Sequence, residues 1–208
     1  MKKTGGQLLQ SLFDVNHPFW QSVEKVFTIF LLNICFVVTS LPVLTFGIAR
    51  LALFASLDIL RKEGKVAVLA TYPVMVKRYW KQGLTLGLLE GLLVGVCILN
   101  LFLTSGVTSL PIQILRLVCF ATLIFSQLMI PYFYRVASQV DLNLAQLGWT
   151  ALMQSARNIW LTLSIVVVLL VLAFVAFFNG LTFLVVLSLL ATFGYAGLVY
   201  LFLLYYKS

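Results

Sequence analysis

The sequence predicts an all-α fold, a polytopic membrane helical bundle of six transmembrane helices arranged as three hairpins, with amphipathic cytoplasmic elbow helices. Three observations lead there. First, 62% of the 208 residues are hydrophobic, 10% are charged and the mean hydropathy is +1.08, more apolar matter than a soluble domain of this size can bury. Second, runs such as Leu84–Leu103 and Leu161–Phe178 reach the length of about 20 helical residues that matches a hydrocarbon core about 30 Å thick. They lack the period-2 alternation of barrel strands, and in lipid every backbone polar group must be paired within the chain, so the spans read as helices. Third, apart from Arg50 and Arg116, which lie within spans, Lys and Arg fall only in alternate connections. The apolar runs are Val26–Leu41, Leu44–Leu60, Gly83–Leu103, Ile112–Tyr134, Ile159–Phe178 and Leu181–Leu204. Lys2, Lys3 and Lys25 precede the first, and Arg61, Lys62, Lys65, Lys77, Arg78 and Lys81 separate the second from the third. Arg135 and Arg157 flank the link between the fourth and fifth, and Lys207 follows the sixth. Pro42-Val43, Thr104–Pro111 and Asn179-Gly180 carry no charge. Under the positive-inside rule this places both termini in the cytoplasm of a multi-pass protein of the cell membrane.

The chain opens with Gln7–Phe13, in which Leu8, Leu9, Leu12 and Phe13 share one side of a short helix suited to the membrane surface. The first apolar run follows a mixed segment containing Phe19 and Trp20 and has no small-x-small site after it, so a cleavable signal peptide is not expected. Two readings compete for Val26–Leu60. A single crossing would put the six basic residues of Arg61–Lys81 outside, so a hairpin turning at Pro42 is the better account. Pro42 lacks a donor and biases Leu41 away from helical angles, and Gly47 can take backbone angles closed to other residues. The arms, about 16 residues or roughly 24 Å each, place the turn at or slightly below the outer surface.

Between the second and third spans, Pro73 suits the first residue of a helix. Tyr72, Tyr79 and Trp80 stand among Lys77, Arg78 and Lys81, an interfacial collar that anchors on anionic lipid or docks a protein partner. In the third span Gly83, Gly87, Gly91 and Gly95 recur every four residues and form a slowly turning stripe that admits close approach of another helix. Glu90 lies about 20° from Gly83 on the same helical wheel. A carboxylate at that depth costs about 2.5–3.5 kcal/mol on insertion scales unless paired or neutral, so a partner is expected. Asn33 is the first candidate, because it lies as far beyond Lys25 as Glu90 lies beyond Lys81, to within a residue. Glu90 then serves packing, lines a solute path or binds a partner subunit. Arg50 and Arg116 stand near the outer ends of their spans, where they snorkel to headgroups or together form a positive rim for an anion. Asp58 precedes Arg61 and Lys62 by three and four residues, the spacing of helix-face ion pairs.

The elbow at Asp141–Arg157, with Asp141 as a candidate N-cap, leads into the fifth span. "TSLPVL" at Thr39–Leu44 is echoed by "TSLPIQIL" at Thr108–Leu115, and Tyr72–Leu89 resembles Trp149–Val166 through a shared Leu-Thr-Leu. These echoes suggest three repeated units, each an elbow followed by a hairpin, although apolar spans also resemble one another by composition. Cys35, Cys97 and Cys119 lie within spans without Cys-x-x-Cys spacing, and His17 is the sole histidine. No phosphate-binding loop, nucleophile elbow or metal motif occurs, so neither an enzyme nor a metal or other cofactor is expected. The net charge of +8 forms no separate soluble patch, which excludes a nucleic-acid partner.

The stretch from Asn33 to Leu53 resembles the signature region of the YesL family, small Gram-positive membrane proteins of unknown function. Asn33, Pro42, Val43, Thr45, Gly47, Ala52 and Leu53 match the family pattern, and Arg50 departs from it, standing where members usually carry a small or hydroxylated residue. The resemblance implies association with carbohydrate ABC importers. A permease itself is not expected, because the cytoplasmic Glu-Ala-Ala loop that docks an ATPase is missing. Two functions follow: an accessory or assembly subunit packed in membrane lipid beside the permease subunits of a sugar importer, or an autonomous small-solute transporter or channel. A homo-oligomer is open in either case.

Overall fold

The structure, a computed structural model, describes residues 18–107, 109–140, 143–179, 182–184, 188 and 194–206. The described residues contain no strand. Helix α1 (Pro18–Ser40) leads through a 3-10 turn at Val43–Thr45 into α2 (Phe46–Glu63). The break follows from Pro42. Its carbonyl accepts from the Thr45 amide at 2.9 Å, and the Thr45 hydroxyl reaches back to the Thr39 carbonyl at the frayed end of α1.

Helix α2 is the centre of the bundle. Every residue from Gly47 to Asp58 is buried, on all faces, because α1, α3 (Val68–Leu103), α4 (Leu110–Ala137) and α7 (Tyr195–Tyr205) surround it. Ala52 and Leu53, both from the family pattern, are fully buried there. The helix ends at Gly64, whose φ of 77° is the left-handed stop that returns an amide to the Leu60 carbonyl. Only residues 64–67 separate α2 from α3, so the two run as antiparallel neighbours.

Several expectations change here. Pro73 does not start a helix: α3 begins at Val68, with the Ala67 carbonyl accepting from Ala70 and Thr71, and Pro73 lies in the second turn. The elbow and the third span are therefore one 36-residue helix, about 54 Å long at 1.5 Å per residue. Gly47 has no special backbone angle, because Gly64 is the one described residue with positive φ. What Gly47 supplies is the absence of a side chain: a Cβ there would fall on the Gly83 carbonyl oxygen and the Gly87 backbone, and one on Gly83 would lie 2.6 Å from the Ile48 Cα. At this crossing α2 and α3 touch backbone to backbone.

Helix α5 (Leu144–Arg157) lies as a separate amphipathic elbow, with Leu147, Ala151 and Ser155 turned inward, and the chain then bends by 89° into α6 (Ile159–Phe178). By length and composition α1, α3 and α4 are long and apolar enough to cross a membrane, and the bent α5–α6 pair makes a fourth candidate. Gln7–Phe13, His17, Asp141 and part of the Leu181–Leu204 run lie outside the described residues.

A buried ion pair as candidate functional site

The Gly47–Gly83–Gly87 crossing decides what Glu90 meets. It brings Arg50, one turn along α2, against Glu90, two turns along α3, and Arg50 Nη1 donates to Glu90 Oε1 at 2.5 Å. Tyr134 of α4 donates its hydroxyl to Glu90 Oε2 at 3.0 Å, so both carboxylate oxygens are engaged. The guanidinium is boxed by aromatic rings, with its Cζ 4.2 Å from the Phe46 centroid, 5.4 Å from Tyr195 and 5.7 Å from Tyr134. Arg50 Nε is buried without an acceptor. Four helices thus converge on one pair whose side chains are 10% and 16% exposed.

This arrangement corrects two expectations. Arg50 does not snorkel to an outer surface; it turns inward to Glu90 and is buried. Asn33 is not the partner of Glu90. Its Oδ1 accepts from the Ala196 amide at 2.9 Å and so satisfies one of the orphan donors at the start of α7. Depth counted from Lys25 and Lys81 misled because the contact of Gly47 with Gly83 and Gly87 sets α2 against this part of α3, so that Arg50 and not Asn33 meets Glu90.

The remaining candidates divide. Arg116 stays apart from Arg50: it donates to the Thr104 hydroxyl and the Val107 carbonyl, closing the connection between α3 and α4. Gly83 and Gly87 are used inside the chain, whereas Gly91 and Gly95 meet nothing within 4 Å. Tyr72 leaves the interfacial collar, because it is buried and bonds the Thr39 hydroxyl at 2.6 Å. Lys77, Arg78, Trp80 and Lys81 are exposed, and Tyr79 donates to the Ser138 carbonyl, tying α3 to the end of α4. Val43 lies in the 3-10 turn.

Sequence reasoning missed a second charged cluster. Asp58 pairs with Arg61 at 3.1 Å and Lys62 at 2.8 Å as the spacing implied, and also with Arg135 of α4 at 2.7 Å. The signal was Arg135 at the end of an apolar run, but nothing local to it names a carboxylate on another helix. No group of three or more metal-ligating side chains occurs among the described residues.

Fold and charged interior together define a multi-pass helical membrane protein held by a few buried polar ties. The family model described as protein of unknown function, DUF624, which is the YesL family, matches residues 29–101. The matched stretch contains the α1–α2 turn, the glycine crossing and both members of the Arg50–Glu90 pair. No curated protein and no solved structure matches the chain.

Proposed function

We propose that the protein is a non-enzymatic accessory or assembly subunit, embedded in lipid and packed beside the permease subunits of a carbohydrate ABC importer. The importer comes from the resemblance to the YesL family alone. What supports a packing role over an autonomous transporter is the closure of the Arg50–Glu90 pair: both carboxylate oxygens are engaged, by Arg50 and by Tyr134, and the cation is boxed by three rings. The surface for docking is the part of α3 beyond Gly87, where Gly91 and Gly95 stand open among exposed Leu88, Leu92 and Val96.

Three helical hairpins with both termini cytoplasmic is the topology that the charge distribution supports. In this reading the α1–α2 hairpin enters and returns on the basic side, with its turn at the depth of Gly83 and Gly87, and α3 with α4 reaches farther. Isolation of the protein from native membranes in mild detergent, followed by mass spectrometry, tests the role. Recovery of a sugar-importer permease is expected. Recovery of the protein by itself, together with solute flux in liposomes that Glu90→Gln abolishes, would overturn the reading in favour of a transporter.

A further inference from the structure

Helices α3 and α4 are consecutive in the chain and pack along each other. Two polar ties hold them: Glu90 accepts from Tyr134 at one level, and Arg116 donates to Thr104 and Val107 at the connection. Between these ties the two helices are almost bare of protein neighbours. Among the described residues, Cys97 is the one buried residue of α3 beyond Leu86, and Cys119 is the one buried residue of α4 before Met129. The residues beside them point outward, Val96 and Ile98 on α3, Val118 and Phe120 on α4.

The two cysteines cover each other. Cys97 lies six residues before the end of α3 and Cys119 nine after the start of α4, about 9 and 14 Å along their helices from the connection and so within one turn of the same level. Their thiols face each other closely enough to interact directly. Close packing needs only a small side chain on each helix, and it is reactivity that sets cysteine apart from other small residues. Cys35 differs: it lies on α1, half-buried, beside Tyr72.

We propose that Cys97 and Cys119 are an oxidation site, where hydrogen peroxide closes a disulfide that locks α3 to α4. Peroxide is small and uncharged, so it reaches thiols that lipid shields from charged oxidants. One sulfur attacks the O–O bond, giving a sulfenic acid and a first water. The second sulfur then displaces the hydroxyl, which leaves with the second thiol's proton as another water while the S–S bond forms. Two thiols and one peroxide thus yield one disulfide and two waters. The second step is intramolecular and gains from the thiols being held side by side. The loop it closes contains the α3–α4 connection, so the link fixes the part of the hairpin that has no other buried contact. The site is distinct from the Arg50–Glu90 pair and does not depend on the importer reading.

The test uses the full-length protein in phosphatidylcholine nanodiscs, reduced and then exposed to graded hydrogen peroxide, with catalase ending each exposure. Unfolding in detergent with a maleimide polymer counts the free thiols, and non-reducing peptide mapping of the monomer locates any link. The reduced protein has three cysteines to tag. Peroxide should leave one, Cys35, with the peptides of Cys97 and Cys119 joined, and a dithiol reductant should restore all three. Cys97→Ser and Cys119→Ser should each keep both remaining thiols at the peroxide concentration that closes the pair in the unaltered protein. The oxidised protein should unfold about 4 °C or more above the reduced form, a rise absent from both variants. Retention of all three tags at every concentration, loss of tags without a link between Cys97 and Cys119, or equal loss in the serine variants would overturn the proposal. A link that leaves the unfolding midpoint unmoved would overturn the lock.

Discussion

Replacing Glu90 by glutamine keeps the size of the side chain and removes the charge that Arg50 faces. The guanidinium is buried, boxed by Phe46, Tyr134 and Tyr195, and cannot lose its proton, so its charge stays in place without a counter-ion. Breaking a buried pair in this way costs about 3–5 kcal/mol. Arg50→Met works differently: the remaining Glu90 can take up a proton and stay bonded to Tyr134, so about 1–3 kcal/mol is expected. The double variant Arg50→Met/Glu90→Gln removes both charges and should recover much of the loss, because buried pairs are often replaced by apolar groups at little net cost. The coupling energy from the cycle is then about 2–3 kcal/mol. Reversible unfolding in mixed micelles, followed by tryptophan fluorescence, measures all three variants. A cost below about 1 kcal/mol for Glu90→Gln, or a double variant as unstable as the sum of the singles, would refute the view that the pair ties the helices together.

Three further outcomes follow from the same geometry. Gly47→Ala and Gly83→Ala drive a methyl into facing backbone and should each destabilise by about 1–3 kcal/mol or more, whereas Gly91→Ala and Gly95→Ala, which meet open space, should be neutral or stabilise by up to about 1 kcal/mol in the same unfolding assay. Asn33→Leu leaves the buried Ala196 amide without its acceptor and should cost about 1–3 kcal/mol, read as lower thermal stability and earlier proteolysis near α7. For topology, single cysteines introduced at Ser105 and Lys65 in a cysteine-free background should differ in labelling by a membrane-impermeant maleimide. Ser105 should react in intact cells and Lys65 only after permeabilisation, and the reverse pattern would invert the proposed orientation.

The lipid environment and the helical class were legible from the chain because both depend on sums over many residues: hydropathy, run length and the absence of period-2 alternation need no contact to be known. The turn at Pro42 was legible for a local reason, the missing amide, and so were the Asp58 pairs with Arg61 and Lys62, which depend only on helical spacing. The need for a partner at Glu90 could also be read, since a carboxylate in an apolar run is costly wherever the rest of the chain lies. Its identity could not. Depth counted along each span assumes that all helices start level, and the backbone contact of Gly47 with Gly83 and Gly87 sets α2 beside the first part of α3 instead. That offset turned Arg50 from an outer residue into the counter-ion and took Tyr72 from the interface into the core. Asn33 shows the same limit. Its acceptor serves a backbone amide 163 residues away, and a main-chain donor leaves no mark in the side-chain sequence. Composition names the solvent and the local elements, but which charges meet depends on how closely two helices approach, and three glycines set that distance.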